Sequence, residues 1–227
     1  MPEAMPGSVS TLYSTLMNRP DIELGRNGQA GRVRAVVFDL DGTLVVEQLD
    51  YDAIRRELGF PPCQPLLEGI AVLPEAEQFL AHAVLHRHEQ AAALTARLNS
   101  GVLAFLDWLD ARGVRRALFS RNSRAAVGVV LERCGLRFDL VVAREDGPHK
   151  PSPHGLLHIC SAWKLPPAEV LMIGDYLYDI QAGVQAGTRT ALVTHGRSLP
   201  FEDQADLSFA NFEAIPEVLR DWIECGE

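Results

Sequence analysis

Arg34-Ala-Val-Val-Phe-Asp-Leu-Asp-Gly-Thr-Leu44 is the stretch on which the reading of this chain turns. An apolar run, Ala35 to Phe38, carries two carboxylates, Asp39 and Asp41, onto a Gly42-Thr43 turn. In an open α/β sheet, ligands bind at the carboxyl ends of the strands. Two acids leaving one strand end repel each other unless a cation or a proton separates them. The spacing therefore predicts a metal-dependent site.

Working outward, short apolar strands alternate with helical patterns from Gly101 onward. Strands are predicted at 33–38, 114–119, 138–142, 170–173 and 190–193. Helices are expected at 102–112, 123–134, 153–164 and 178–186, with a closing helix over 212–223. That alternation indicates βαβ units, a Rossmann-like doubly wound α/β fold with a mostly parallel sheet. Between about 46 and 99 no strand pattern occurs. Asp50 opens a helix over 51–58 that Gly59 stops, and Pro74-Glu75 opens a long helical stretch to about Asn99. The expected organisation is an extension at 1–32, a core at 33–45 and 100–227, and an all-helical insert at 46–99.

Each strand end carries chemistry. The first gives Asp39 and Asp41, and the second gives Ser120-Arg-Asn122. Downstream of the third comes Gly147-Pro-His-Lys150-Pro-Ser-Pro153, and the fourth gives Gly174-Asp175-Tyr-Leu-Tyr-Asp179. A hydroxyl, a lysine and four carboxylates are thus expected on one rim. Phe38-Asp-Leu-Asp-Gly-Thr43, Ser120, Lys150-Pro151 and Gly174-Asp175 followed by Asp179 resemble, in order and spacing, the four motifs of the haloacid dehalogenase-like (HAD) hydrolases. The similarity runs from about Val33 to Ile223 and is to the phosphoglycolate-phosphatase-like branch, with a helical cap after the first motif.

That resemblance implies a phosphatase acting on a small phosphorylated metabolite. Asp39 would be the nucleophile, and Asp41 would protonate the leaving alcohol and later activate water. A hard divalent cation, Mg²⁺, would sit on the carboxylates of Asp39 and Asp175 and the backbone carbonyl of Asp41, with Asp179, Gly174 and Thr43 around it. Ser120 and Lys150 would hold the phosphoryl oxygens. Arg121 and Asn122 join them as phosphate-binding candidates, because a guanidinium pairs well with an anion. Asn122 could equally cap the helix that follows.

Competing readings are weaker. A calcium loop starting at Asp39 wants glycine sixth, where Leu44 stands. Hydrolytic dehalogenation does not call for an acid two residues after the nucleophile. A phosphonate hydrolase of this family would require a cap lysine, and none occurs between Asp39 and Lys150. A phosphomutase using the same Asp pair and a non-catalytic regulatory module remain as alternatives. His82, His86 and His88 on the insert, and His154 and His158, have one-turn spacings but no third ligand, so a solvated or packed helix face is expected. His149 adjoins Lys150 without an assigned role. The insert is short for a cap of that branch, which predicts a site more open than in a phosphoglycolate specialist, or one that needs a partner surface to close it.

Composition narrows the partners. With 21 basic and 30 acidic residues the formal charge is −9, which disfavours nucleic acid and anionic membranes. No stretch approaches the ~20 apolar residues of a membrane span. Cys63, Cys134, Cys160 and Cys225 are scattered without a zinc or C-x-x-C spacing, consistent with a reducing, cytoplasmic setting.

Overall fold

A computed structural model describes residues 32–213 and 216–224. The expected extension at 1–32 therefore lies outside the described residues except for Arg32. Among these residues six strands form one sheet: β1 (Ala35–Phe38), β2 (Arg115–Phe119), β3 (Leu140–Val142), β4 (Val170–Gly174), β5 (Arg189–Val193) and β6 (Leu207–Phe209). Every pairing is parallel, in the order β3-β2-β1-β4-β5-β6. The chain winds outward from β1 through β3, then returns to lay β4 against the other side of β1. That reversal makes the crevice at the carboxyl ends of β1 and β4 the switch point where such sheets hold ligands.

Among the described residues, eight α-helices accompany the sheet: α1 (Tyr51–Leu58), α2 (Leu66–Ala71), α3 (Glu75–Ala93), α4 (Val102–Asp110), α5 (Arg124–Cys134), α6 (His154–Trp163), α7 (Leu177–Ala186) and α8 (Glu217–Glu224). Helices on both faces explain why β1 is apolar at every position rather than at alternate ones. Val36 and Phe38 face a cluster built with Phe105 of α4, Val127 of α5 and Leu219 of α8. Ala35 and Val37 face the other side, against Leu156 and Ile159 of α6 and Ala182 of α7. Phe38 meets Phe105 edge-on at 6.0 Å. Its truncation to Ala would cost ~3–5 kcal/mol and is the single change most damaging to this strand.

The segment 46–99 has its own small core of Ile54, Leu66, Leu67, Ile70, Ala81 and Leu85. Asp50 caps α1 by accepting the Ala53 N–H at 2.8 Å, and Gly59 closes it in the left-handed region at φ 69°. Its two connections run side by side: Val46 N–H donates to Arg97 O and Asn99 N–H to Leu44 O, both at 2.9 Å. Val45 and Leu98 form an antiparallel bridge there.

Several expectations are corrected. The long helix ends at Ala93 rather than near Asn99, because residues 95–99 turn back to pair with the strand end that launched the segment. α2 was not foreseen, being six residues between Pro65 and Pro74. β6, a three-residue edge strand containing Ser208, was also missed. The last helix begins at Glu217, since Phe212 is spent in the core among Phe38, Phe105 and Phe209.

Candidate active site

Asp39 follows the last residue of β1, and its N–H continues the ladder to Ile173 O of β4 at 2.9 Å. The chain then reverses, with Leu44 and Val45 N–H both on Leu40 O at 2.9 and 3.0 Å. Gly42 takes φ +77° in this turn, and a Cβ there would lie 2.3 Å from Asp175 Oδ2. The turn therefore requires glycine twice over, for its backbone and for the room it leaves Asp175. Thr43 Oγ1 reaches the other oxygen, Oδ1 of Asp175, at 3.5 Å.

Lys150, from the loop after β3, is 1% exposed. Its ammonium donates to Asp39 Oδ1 and, at 2.6 Å, to Asp179 Oδ1. Asp179 sits in the first turn of α7, where its Oδ2 accepts the Tyr176 N–H at 3.1 Å. A Cβ on Gly174 would lie 2.2 Å from Asp179 Cγ, so the strand end must be glycine for that carboxylate to turn inward. Ser120, also 1% exposed, accepts the Asn122 N–H on Oγ at 3.1 Å. That leaves its hydroxyl proton to donate elsewhere.

The acids are not equivalent. Burial pushes Asp39 up to about 6; Lys150 pulls it down and Asp179 pushes it further up. Burial, then Asp39 and Asp179, push Asp175 up to about 8. Asp41 is held well above the usual carboxylate range by burial, then by Glu47, Asp39 and Glu89, although Asn122 Nδ2 donates to its Oδ2 at 2.5 Å. Burial alone would lower Lys150, but Asp179 and Asp39 outweigh it and its ammonium is favoured.

Carboxylate oxygens of Asp39, Asp175 and Asp179 come within 4.8 Å of one another. Three acids face Lys150 and, at 3.8 Å from Asp175, the exposed Arg197 guanidinium, which still leaves uncompensated negative charge, and an all-oxygen set of this kind suits a hard divalent cation. The carboxylate of Asp41 is not in that cluster; it is turned to Asn122.

These groups floor a cavity of about 650 Å³ walled by the 46–99 segment. Arg121 lines it but is already engaged: Nη2 donates to both Glu68 oxygens at 2.9 Å and Nη1 to Lys150 O. Asn122 is not the helix cap; Ser123 is, accepting the Ala126 N–H. The histidines do not gather. His88 pairs with Glu57 at 2.9 Å, His86 meets Ser123 Oγ at 3.3 Å, and His149 donates to Lys150 O at 3.0 Å.

Sequence reasoning missed four contributors. Glu68 and Glu89 come from the helical segment, and a lone Glu on a helix gives no signal of its own. Glu47 lines the cavity and accepts the Tyr51 hydroxyl at 3.0 Å. His195 follows β5 and its Nε2 donates to Gly42 O at 2.5 Å, bracing the turn from outside. Only its place just past a strand end could have suggested it.

The family model described as haloacid dehalogenase-like hydrolase matches residues 33–187. A haloacid dehalogenase-like hydrolase domain-containing protein of Arabidopsis thaliana is 33% identical, over 71% of this chain and 71% of its own length. N-acetylmuramic acid 6-phosphate phosphatase of Pseudomonas putida is 31% identical, over 73% of this chain and 84% of its own. Among solved structures, a predicted phosphoglycolate phosphatase from Haemophilus somnus superposes with a TM-score of 0.65 at 22% identity. The match covers 81% of this chain and 96% of that one, and carries the fold.

Proposed function

The chain belongs to the haloacid dehalogenase-like hydrolases and is a phosphatase of the phosphoglycolate-phosphatase-like kind, and we propose that it cleaves a small phosphate monoester through a covalent phosphate on Asp39. The observation that carries this is the unequal setting of two acids on one strand end. Asp39 touches the Lys150 ammonium, which favours its nucleophilic, ionised form. Asp41 is buried amid a surplus of negative charge, which favours the proton an acid must carry and outweighs the Asn122 amide that donates to its Oδ2. Pairs of carboxyl groups pushed apart in this way divide the acid and nucleophile roles.

In this reading the Asp39 carboxylate attacks phosphorus and the ester P–O bond breaks, while Asp41 gives its proton to the departing alkoxide. Water then attacks phosphorus, Asp41 takes its proton, and the bond to Asp39 breaks to release inorganic phosphate. Ser120 Oγ–H and the Lys150 ammonium hold the phosphoryl oxygens as charge develops on them. Mg²⁺, when bound, would offset the repulsion between phosphate and carboxylates. The carboxylates of Asp39 and Asp175 and the carbonyl of Asp41 would hold it, with Asp179, Gly174 and Thr43 framing that set.

Residues 46–99 act as the cap over a core of 33–45 and 100–227, and exclude water from the step. The cavity is lined by Asp39, Ser120 and Lys150 of the core and also by Leu66, Leu67 and Leu85 of the insert, which supports a small organic leaving group such as a sugar or hydroxy acid. Three unpaired cysteines, Cys63, Cys134 and Cys160, support a cytoplasmic setting. No helix among the described residues is long and apolar enough to cross a membrane.

The test is a panel of phosphometabolites assayed for phosphate release, with and without Mg²⁺, on wild type and Asp39→Asn. Release should require both the metal and Asp39, with Asp39→Asn folded and inert. Full turnover in Asp39→Asn overturns the mechanism, and transfer of the phosphate to a sugar instead of water identifies a mutase.

A further inference from the structure

The C-terminal part of α3 buries a carboxylate that the reaction above does not use. Glu89 is 2% exposed, and a buried carboxylate persists only when its oxygens are hydrogen-bonded and its charge is met. One loop system of the core does both. Arg144, in the turn after β3, sets Nη1 on Glu89 Oε1 and Nη2 on Oε2, the latter at 3.0 Å. Oε2 also accepts the backbone N–H of Ser123 at 3.3 Å.

The same pair grips two further peptide groups. Arg144 Nη1 lies 3.4 Å from the carbonyl oxygen of Arg121. The backbone N–H of Arg144 donates to the Asn122 carbonyl at 2.9 Å. Residues 121, 122 and 123 are therefore each fixed at the backbone by Glu89 or Arg144. The side chain at the centre of that grip is Asn122, whose Nδ2 donates to Asp41 Oδ2 at 2.5 Å. His86, one turn before Glu89, places Nδ1 3.3 Å from Ser123 Oγ, so the helix meets the loop at two side chains.

We propose that Glu89 and Arg144 are positioning residues for the general acid–base. The helical insert delivers Glu89 to the loop at the end of β2, and with that carboxylate in place Asn122 aims the Asp41 carboxyl at the leaving oxygen. The inference rests on Asp41 serving as the acid. It gives the insert a part in the chemistry besides covering the site: the acid is aimed only while α3 is docked. Misplacing a reacting group by about 1 Å costs up to roughly a hundredfold in rate, so a grip of this kind is worth having.

Glu89→Gln preserves the shape and removes the charge that Arg144 meets. The full chain, with Mg²⁺, is assayed on an alkyl phosphate, whose alkoxide must be protonated, and on p-nitrophenyl phosphate, whose phenolate departs without a proton. The ratio kcat/KM ends at departure of that leaving group, so later hydrolysis of the enzyme-bound phosphate does not enter it. The expected fall is about tenfold or more on the alkyl ester and less than about twofold on the nitrophenyl ester. An equal fall on both is what a merely structural role gives and overturns the proposal, as does no fall on either. Glu89→Gln/Arg144→Gln should lose no more than either single variant, since the two act as one unit; additive losses also overturn it.

A second measurement requires no turnover. The side-chain amide protons of Asn122, assigned by their disappearance in Asn122→Ala, should shift in Glu89→Gln although Glu89 does not touch them. Unmoved resonances overturn the proposal. If Glu89→Gln does not fold, Arg144→Lys, which retains the charge and loses the two-nitrogen grip, is read in the same assays and by the same criteria. Wild-type protein inert on both esters marks failure of the phosphatase reading instead, and the amide resonances then still decide whether Glu89 holds Asn122.

Discussion

Arg121 and Glu68 meet across the boundary between core and insert, with one guanidinium nitrogen 2.9 Å from both carboxylate oxygens. The plane of Arg121 also lies 4.6 Å over the Tyr178 ring, so the guanidinium is held at the cavity wall on two sides. A half-buried pair that opens on the cavity adds little stability, ~1 kcal/mol. Its effect should be on ligands: Glu68 occupies a cation that a substrate anion could use. Glu68→Gln should tighten competitive inhibition by inorganic phosphate about threefold to tenfold, and Arg121→Ala should weaken it. Titration calorimetry with phosphate checks both, and an unchanged affinity in Glu68→Gln would mean that Arg121 never turns inward.

Lys150 is the one described cation in contact with both Asp39 and Asp179. Lys150→Met removes it and leaves two buried carboxylates facing each other. Breaking a buried pair this way costs ~3–5 kcal/mol. The loss should be larger at pH 8 than at pH 5, because protons can replace the ammonium only when they are available. Thermal denaturation at the two pH values tests this, and equal losses would count against it.

Metal-free protein should become less stable as pH rises from about 5 to 8. Asp39 and Asp175 have folded-state values of about 6 and about 8, above the ordinary carboxylate value of about 4. Across that window the folded state binds more protons than the unfolded state, so the free energy of unfolding falls with rising pH. Asp146 and Glu57, whose values are lowered, exert their influence below the window; His82, lowered by burial, opposes the trend within it, one group against the two acids. The expected fall in Tm is on the order of 5 °C, reversed by Mg²⁺ at pH 8 far more than at pH 5. A Tm that climbs with pH in the presence of a chelator contradicts the charge arrangement described here.

The parts of this site that could be read from sequence are those that sit at strand ends. Ala35–Phe38 announces a buried strand, and whatever follows such a strand in a parallel sheet faces the crevice; Asp39, Ser120 and Asp175 were placed by that logic. Lys150 lies on a long loop and was found by motif, since nothing local requires a loop lysine to be buried. Glu89 and Glu68 could not be found at all. Their meaning depends on Arg144 and Arg121, more than fifty positions away, and a contact at that separation leaves no local periodicity. β6 and α2 escaped because three and six residues are too few for a repeat to register.

Gly174→Ala should be folded but strongly impaired. The added Cβ meets Asp179 at 2.2 Å and must drive its carboxylate away from Lys150 and from the Tyr176 N–H. Overpacking of this sort costs ~1–3 kcal/mol in stability. The displaced lysine should cost on the order of a hundredfold in kcat/KM. Circular dichroism with steady-state kinetics separates the two effects, and normal turnover would remove Asp179 from any role in holding Lys150.

The paired connections of the insert, with Val46 on Arg97 and Asn99 on Leu44, bring both ends of a long excursion to one doorway beside β1. Such a doorway lets evolution exchange what lies beyond it while the sheet stays untouched, so substrate preference can drift as a detachable module. The exchange carries one condition in this chain. Any replacement has to bring its own acid to Ser123 and Arg144, so inheritance at position 89 constrains a region otherwise free to vary.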